Sequence, residues 1–130
     1  MEEVYEFLKK CGTFYLATVD GEKPRVRPFG AINIFEDKLY FQTGKIKNVS
    51  KQMQINPNIE ISGMAEGKWI RLEAKAIRDE RIEAKRSMLE SNPGLKGMYK
   101  EDADNTEVLY LKDARATINS FTEEPRVIEF

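Results

Sequence analysis

Alternating runs of aromatic and β-branched residues, cut at short intervals by tight-turn pairs, predict a mainly β protein with short helices, folded as an antiparallel barrel of six or seven strands. Three observations carry this expectation. The segments TFYLATV (13–19), KLYFQT (38–43) and WIRLEAKAI (69–77) are short and rich in strand-forming residues. Asp20-Gly21, Glu36-Asp37 and the Ala65-Glu66-Gly67 triplet mark turns next to these runs. Helical spacing surfaces only in brief stretches. A chain of 130 residues suits one domain, residues 1–130, with a core of its own. Closure into a barrel is preferred to a sandwich because it spares an all-β chain of this size long unpaired edges.

The elements follow in order. Val4, Phe7 and Leu8 share a helical face in the first dozen residues, and Gly12 is the expected stop. Thr13–Val19 reads as a strand, Asp20-Gly21 as a hairpin turn, and Arg25–Phe35 as one continuous second strand. Glu36-Asp37 turns the chain into a third strand over Lys38–Thr43. Ile46, Val49 and Met53 then restore helical spacing, which ends before Pro57 because a residue preceding proline avoids the helical region. Asn58–Met64 and Trp69–Ile77 form a further hairpin. In its second strand Ile70, Leu72, Ala74 and Ala76 lie on one face and Arg71, Glu73 and Lys75 on the other. A charged helix spans Arg81–Glu90 and stops at Asn92-Pro93-Gly94; residues 95–105 look irregular. Glu107–Phe121 is either one long strand or a hairpin pivoting at Lys112-Asp113. Phe14, Leu16, Ile59 and Ile61 are expected in the barrel core.

Composition removes several function classes. Histidine is absent, which excludes Ser-His-Asp and Cys-His catalysis and most zinc or haem ligation, and no metal site is expected. Cys11 is the only cysteine, so no internal disulfide forms. No apolar run approaches the roughly 20 residues of a membrane span. The N-terminus MEEVYEFLKKCG lacks a signal-peptide pattern, and a cytoplasmic location is the expectation.

Charge is the most informative departure from the average. Between Lys23 and Asn58 stand seven Lys or Arg residues against Glu36 and Asp37, a local charge of +5 in a chain whose net charge is −1. This asymmetry predicts an anion site. Lys45 and Lys47 fall near the predicted start of a helix, an end that already carries about half a positive charge and disfavours cations unless an anion binds there. Lys47 and Lys51, four apart, share a helix face with Asn48 between them, so two ammonium groups and an amide can converge on one phosphate. Gln42, Thr43 and Gly44 end the preceding strand, where a hydroxyl and free N–H groups complete an anion nest; Thr43 is equally suited to cap the helix. Arg25 and Arg27 point to one face of their strand and Val26 and Pro28 to the other, with Pro28 suited to a sheet edge. Trp69, the sole tryptophan, fits either a ligand contact or an apolar interface.

The order of FYLATVDGEKPRVRPFG (14–30), LYFQTGKIKNVSKQMQINP (39–57) and WIRLEAKA (69–76) resembles the FMN-binding split-barrel family of pyridoxamine 5'-phosphate oxidase-like proteins, above all its small nitroimidazole-resistance-like and general-stress-like members. The resemblance implies an FMN-binding split barrel and an obligate homodimer with two FMN molecules at the subunit interface. It also implies flavin contacts from the Arg25–Pro28 strand and from the strand that Trp69 begins, with Arg25 and Arg27 reaching the phosphate or the pyrimidine edge. The chain departs from the genuine oxidases, which use a C-terminal Arg and His on their substrate. This chain ends FTEEPRVIEF without histidine, so vitamin B6 oxidation is not expected, nor is histidine-ligated haem. The expected function is an FMN-dependent oxidoreductase passing electrons from a reduced nicotinamide to a small electron-poor acceptor, a nitroaromatic or quinone. A deazaflavin also fits the basic groove. The alternatives are a non-catalytic flavin-binding stress protein and, further off, a barrel that binds single-stranded nucleic acid.

Overall fold

The computed structural model describes residues 1–45, 47–97 and 105–130. Helix α1 (Glu2–Cys11) precedes β1 (Phe14–Asp20), β2 (Lys23–Phe29), β3 (Ile32–Phe35) and β4 (Lys38–Gly44). After α2 (Asn48–Ile55) come β5 (Asn58–Ala65), β6 (Lys68–Asp79) and α3 (Ile82–Ser91). A 3-10 turn at Pro93–Gly97, the long β7 (Thr106–Asn119) and a short β8 (Arg126–Glu129) complete the chain. All pairings are antiparallel, in the order β2-β1-β5-β6-β7-β4-β3, with β8 added to β7. This is the expected split barrel. The sheet is not closed by hydrogen bonds, and its two ends, β2 and β3, are consecutive in sequence.

That adjacency corrects the expectation of one strand over Arg25–Phe35. The chain runs down one end of the sheet as β2, breaks at Gly30-Ala31 and re-enters at the opposite end as β3. Apolar alternation continues through the break, so the pattern alone does not show it. The corner is tight: a Cβ on Gly30 would lie 3.4 Å from the Gly12 carbonyl oxygen. The turns follow their chemistry. Glu36 and Asp37 have φ of 50° and 60°, Glu66 and Gly67 of 54° and 76°, the positive pairs of type I′ hairpins. Gly21 has φ of 63° and opens the β1–β2 hairpin.

β6 buries Ile70, Leu72, Ala74 and Ala76 and exposes Arg71, Glu73 and Lys75, as its alternation predicts. β7 is one strand and not a hairpin. Its pivot survives as a bulge, where the register with β6 shifts between Glu73 and Lys75 and Asp113 adopts φ of 52°. β8 was not anticipated and raises the count to eight strands, since four residues after Pro125 carry too short a pattern.

The interior is filled by Phe14, Leu16, Phe41, Ile61, Leu72, Leu109 and Ala116, with Ile59 beside them. α1 packs Val4 and Leu8 into the same cluster, against β3 and β5. α2 packs against β1 and β4, each next to an end of the sheet, so it bridges the split. α3 covers the other face of β4 and β7 through Ala84 and Met88 on Tyr40 and Val108.

A polar network that runs from buried Tyr40 and Asp79 out to exposed Arg81 and Glu36 fixes the start of α3. The Tyr40 hydroxyl donates to Asp79 Oδ2 at 2.7 Å, and Arg81 donates to Asp79 from its backbone N (3.1 Å), Nε (3.0 Å) and Nη2 (2.9 Å). Arg81 also reaches Glu36 Oε2 at 2.7 Å. The Arg81 contacts, opposed by burial and aided by Tyr40, bring the Asp79 carboxyl down to about 2, while burial and Asp79 push the Tyr40 hydroxyl up. Because the folded value lies below the ordinary 3.8, this stabilisation is complete above about pH 4 and is lost as pH falls through about 2. Asp79→Asn should therefore cost roughly 2 kcal/mol at neutral pH. The deficit relative to the parent should shrink toward pH 2, as denaturant unfolding at a series of pH values will show. A deficit independent of pH would assign the loss to packing.

Candidate functional site

Two depressions meet on one side of the split. The larger, of about 950 Å³, lies between β2 and α2 and is lined by Arg25, Val26, Arg27, Pro28, Lys47, Asn48 and Lys51 among others. The second, of about 550 Å³, lies between the Pro28–Ala31 corner, Gln42 and Thr43 of β4, and the segment Ser91–Leu95 that follows α3. Pro28, Phe29 and Lys47 line both, so the two form one groove with a basic lobe and a neutral lobe.

Nine of the eleven residues singled out from the sequence line this groove: Arg25, Val26, Arg27, Pro28, Gln42, Thr43, Lys47, Asn48 and Lys51. Gly44 does not. It is buried in β4, opposite Thr106. Trp69 does not either; it pairs with Met64 and Asn119 on the outer face and its ring lies 5.0 Å from that of Phe121. α2 starts later than expected, at Asn48, with Lys47 as its N-cap in extended geometry. Thr43 is accordingly not a helix cap but a strand residue opposite Glu107. The reason is a turn between strand and helix, closed by Lys47 N–H on the Gly44 carbonyl at 3.2 Å. Ile46, part of the predicted helix pattern, lies outside the described residues.

The electrostatics of the basic lobe are one-sided. Lys47 and Lys51 are on α2, whose first turn carries no acid and has no side-chain cap, so the positive end of the helix adds to their charge. Arg25 and Arg27 approach from β2. Arg25 is exposed and pairs with Asp20 at 3.3 Å. Arg27 is half-buried and tied to its surroundings: Nη1 donates to the Leu16 carbonyl (3.1 Å) and to Thr18 Oγ1 (2.8 Å), and Nη2 to Gln52 Oε1 (2.9 Å). Burial and then the Arg25 charge lower its pKa, yet a guanidinium stays protonated. Four cations face one another across a lobe that Asp20 alone answers.

The neutral lobe holds unpaired acceptors. Gln42 and Thr43 are 8% and 5% exposed, and Gln42 Oε1 and Thr43 Oγ1 have no hydrogen-bond partner among the described residues, although Gln42 Nε2 donates to Thr106 Oγ1. A buried polar atom left unpaired costs about 1–3 kcal/mol, so a native protein keeps one where something else completes it. A ligand with an anionic end for the lysines and arginines and an N–H-bearing flat ring for Gln42 meets both demands, and FMN fits that description.

Nothing in the local pattern points to the Ser91–Leu95 wall. Asn92-Pro93-Gly94 signals only the end of a helix; what brings it here is α3 docking on β3 through Asn33 Nδ2 to Ser87 Oγ (2.9 Å) and Asn92 Nδ2 to the Ile32 carbonyl (3.2 Å). Thr18 and Gln52 were also missed. Cys11 stands apart: its Sγ lies 2.9 Å from where a Gly63 Cβ would be, and burial pushes its thiol up, the opposite of an activated nucleophile.

An open antiparallel split barrel with its cofactor-sized groove at the split defines a flavin-type split-barrel protein. The family model described as pyridoxamine 5'-phosphate oxidase matches residues 1–119, and the chain belongs to that family. A NimC/NimA family protein from Clostridium acetobutylicum is 46% identical with a TM-score of 0.98, over 100% of this chain and 92% of that one. General stress protein 26 from Bacillus anthracis (18% identity, TM-score 0.78, 99% and 97% of the chains) shares the fold. So does a haem-binding protein from Mycobacterium smegmatis (16%, 0.77, 98% and 57%). A comparison with curated proteins finds no match.

Thr43→Val keeps the side-chain shape and deletes the unpaired oxygen. It should stabilise the ligand-free protein by about 1 kcal/mol in urea unfolding while weakening the ligand. A loss of stability without ligand would mean that Thr43 is already satisfied.

Proposed function

We propose that the protein is an FMN-dependent oxidoreductase that passes electrons from a reduced nicotinamide donor to a small electron-poor acceptor of the nitroaromatic or quinone type. The observation that carries this reading is the junction at Pro28 and Lys47, where a lobe of cations meets a lobe of buried, unpaired acceptors. Lys47, Lys51, Arg25 and Arg27 would hold the phosphate together with the α2 N-terminus. Gln42 Oε1 and the Thr43 hydroxyl would meet the ring edge, and Phe29 with Leu95 would exclude water from its faces. FMN, when bound, supplies the electron-transfer chemistry; the chain supplies orientation and a positive field. This division of labour suits a sequence with no histidine and an unactivated Cys11. It also favours FMN over the haem of the mycobacterial neighbour, since no histidine ligand exists.

A homodimer belongs to the proposal. Tyr15, Val26 and Met64 are 49%, 68% and 65% exposed, and the register of β1 and β2 sets Ala17 against Val26 and Tyr15 against Pro28. An apolar outer face on this scale suits a second copy, which would also give the outward Trp69 a role. Sedimentation at micromolar concentration should show a species of twice 15.0 kDa; a monomer that still binds FMN would remove the dimer from the reading. A cytoplasmic setting is likewise proposed. No helix among the described residues is long and apolar enough to cross a membrane.

Lys47→Ala combined with Lys51→Ala tests the phosphate assignment. FMN affinity should fall by roughly 3 kcal/mol or more, about 1.5–3 for each charge-assisted bond, while riboflavin binding hardly changes. Equal losses for both ligands would refute it. Mass spectrometry of the ligand released from purified protein separates FMN from a deazaflavin. Turnover of NADPH or NADH with a nitroaromatic or quinone separates an enzyme from a protein that only stores or senses flavin.

A further inference from the structure

We propose that Thr18 and Gln52 are positioning residues that hold Arg27 as a phosphate clamp, so that the groove selects a phosphorylated flavin over the unphosphorylated one. This inference rests on the flavin reading above. A guanidinium carries five N–H donors. Nη1 of Arg27 places its two on the Leu16 carbonyl and Thr18 Oγ1, with the Arg25 carbonyl a longer contact at 3.4 Å, and Nη2 places one on Gln52 Oε1. Thr18 Oγ1, itself 98% buried as a residue, donates in turn to Gln52 Oε1. The three side chains form a closed ring that ties β2, β1 and α2 together.

What the ring leaves over is informative. Nε–H and the second Nη2–H lie on one edge of the guanidinium and have no partner among the described residues. Arg27 lines the basic lobe together with Lys47 and Lys51, and the clamp requires this free edge to face that lobe. Two parallel N–H groups match two oxygens of a phosphate, and a clamp already fixed in place loses little freedom on binding. Gln52 follows Lys51 in α2, so the same ring sets the face bearing Lys47 and Lys51 at a fixed distance from Arg27. A purely structural tie between β2 and α2 would be better made by an uncharged residue, because a cation here faces Arg25 and two lysines.

The test is titration of the full chain with FMN and with riboflavin, read by flavin fluorescence. Thr18→Val, which keeps shape and deletes both hydrogen bonds, should weaken FMN about tenfold and change riboflavin by less than about twofold. Thr18→Ser, which keeps the hydroxyl, should restore FMN affinity to within about twofold of the parent. Gln52→Leu, at a half-buried helix position, should repeat the Thr18→Val result and carries the test if Thr18→Val does not fold. If both variants bind FMN as the parent does, or lose riboflavin in the same proportion, the ring is structural and the inference is overturned. If those variants keep FMN while the Lys47→Ala, Lys51→Ala protein loses it, this inference fails and the flavin reading stands. A parent that binds neither ligand sinks both.

Discussion

The split between β2 and β3 is the constraint from which the rest of the molecule follows. A barrel of this size can close only by pairing its first and last strands, and here those strands are joined directly through Gly30-Ala31. A two-residue link between antiparallel edges would normally make a hairpin; instead the chain changes ends of the sheet, and the edges stay unpaired with each other. Something else must then cover the gap. α2 does so by resting on β1 at one side and β4 at the other, and α1 buries Val4 and Leu8 against β3 and β5. The groove is what remains between the edge strand, the bridging helix and the corner. Site and split are thus one feature: filling the split with side chains would improve the barrel and abolish the groove.

The same place concentrates the electrostatic cost. Arg25, Arg27, Lys47 and Lys51 face one lobe, and the free end of α2 adds to the same sign. Solvent screens the exposed lysines and Asp20 offsets Arg25, but Arg27 is half-buried and has no acid beside it. Its compensation is a set of neutral acceptors from Leu16, Thr18 and Gln52 that spread its charge without cancelling it. A carboxylate in place of Gln52 would neutralise the cation and remove the field that an anion needs. The neutral lobe repeats this logic with the opposite polarity, since Gln42 Oε1 and Thr43 Oγ1 are buried oxygens without a partner among the described residues.

How much of this was legible in the sequence depends on the range of the interaction. The β6 alternation, the Glu36-Asp37 turn and the Gly12 stop are set by neighbours two to four residues away, and each was read correctly from pattern and turn chemistry. The charge segregation that marks the basic lobe is a property of composition, and it pointed to Arg25, Arg27, Lys47 and Lys51 among the lining residues. The departures at the break and at the wall are long-range, whereas the helix start is local. Apolar alternation does not distinguish a strand that continues from one that crosses to another edge, which hid the break at Gly30-Ala31. Thr43 resembles a helix cap because the sequence suggests a helix that begins at about Gly44, whereas α2 begins at Asn48. The Ser91–Leu95 wall arises from a contact between Asn33 and Ser87, 54 positions apart, and nothing local in either residue announces it.

That wall also explains why a polar network at the far end of α3 matters to the groove. α3 is held at its start by Asp79 and Arg81, near its end by Asn33 on Ser87, and just beyond its end by Asn92 on the Ile32 carbonyl. Between these points Ala84 and Met88 pack on Tyr40 and Val108, and Tyr40 is itself the donor to Asp79. The residues that line the neutral lobe from this side are therefore the last residue of that helix and the turn that follows it, anchored to β3 where Asn92 donates to the Ile32 carbonyl. Protonating Asp79 releases the first of those points and leaves the others, which loosens the helix start more than the wall. The groove should consequently keep its shape into mildly acidic solution, and the elements that could adapt to ligands of different size are the side chains of Arg25, Lys47 and Lys51, whose groups reach the lobe on long stems.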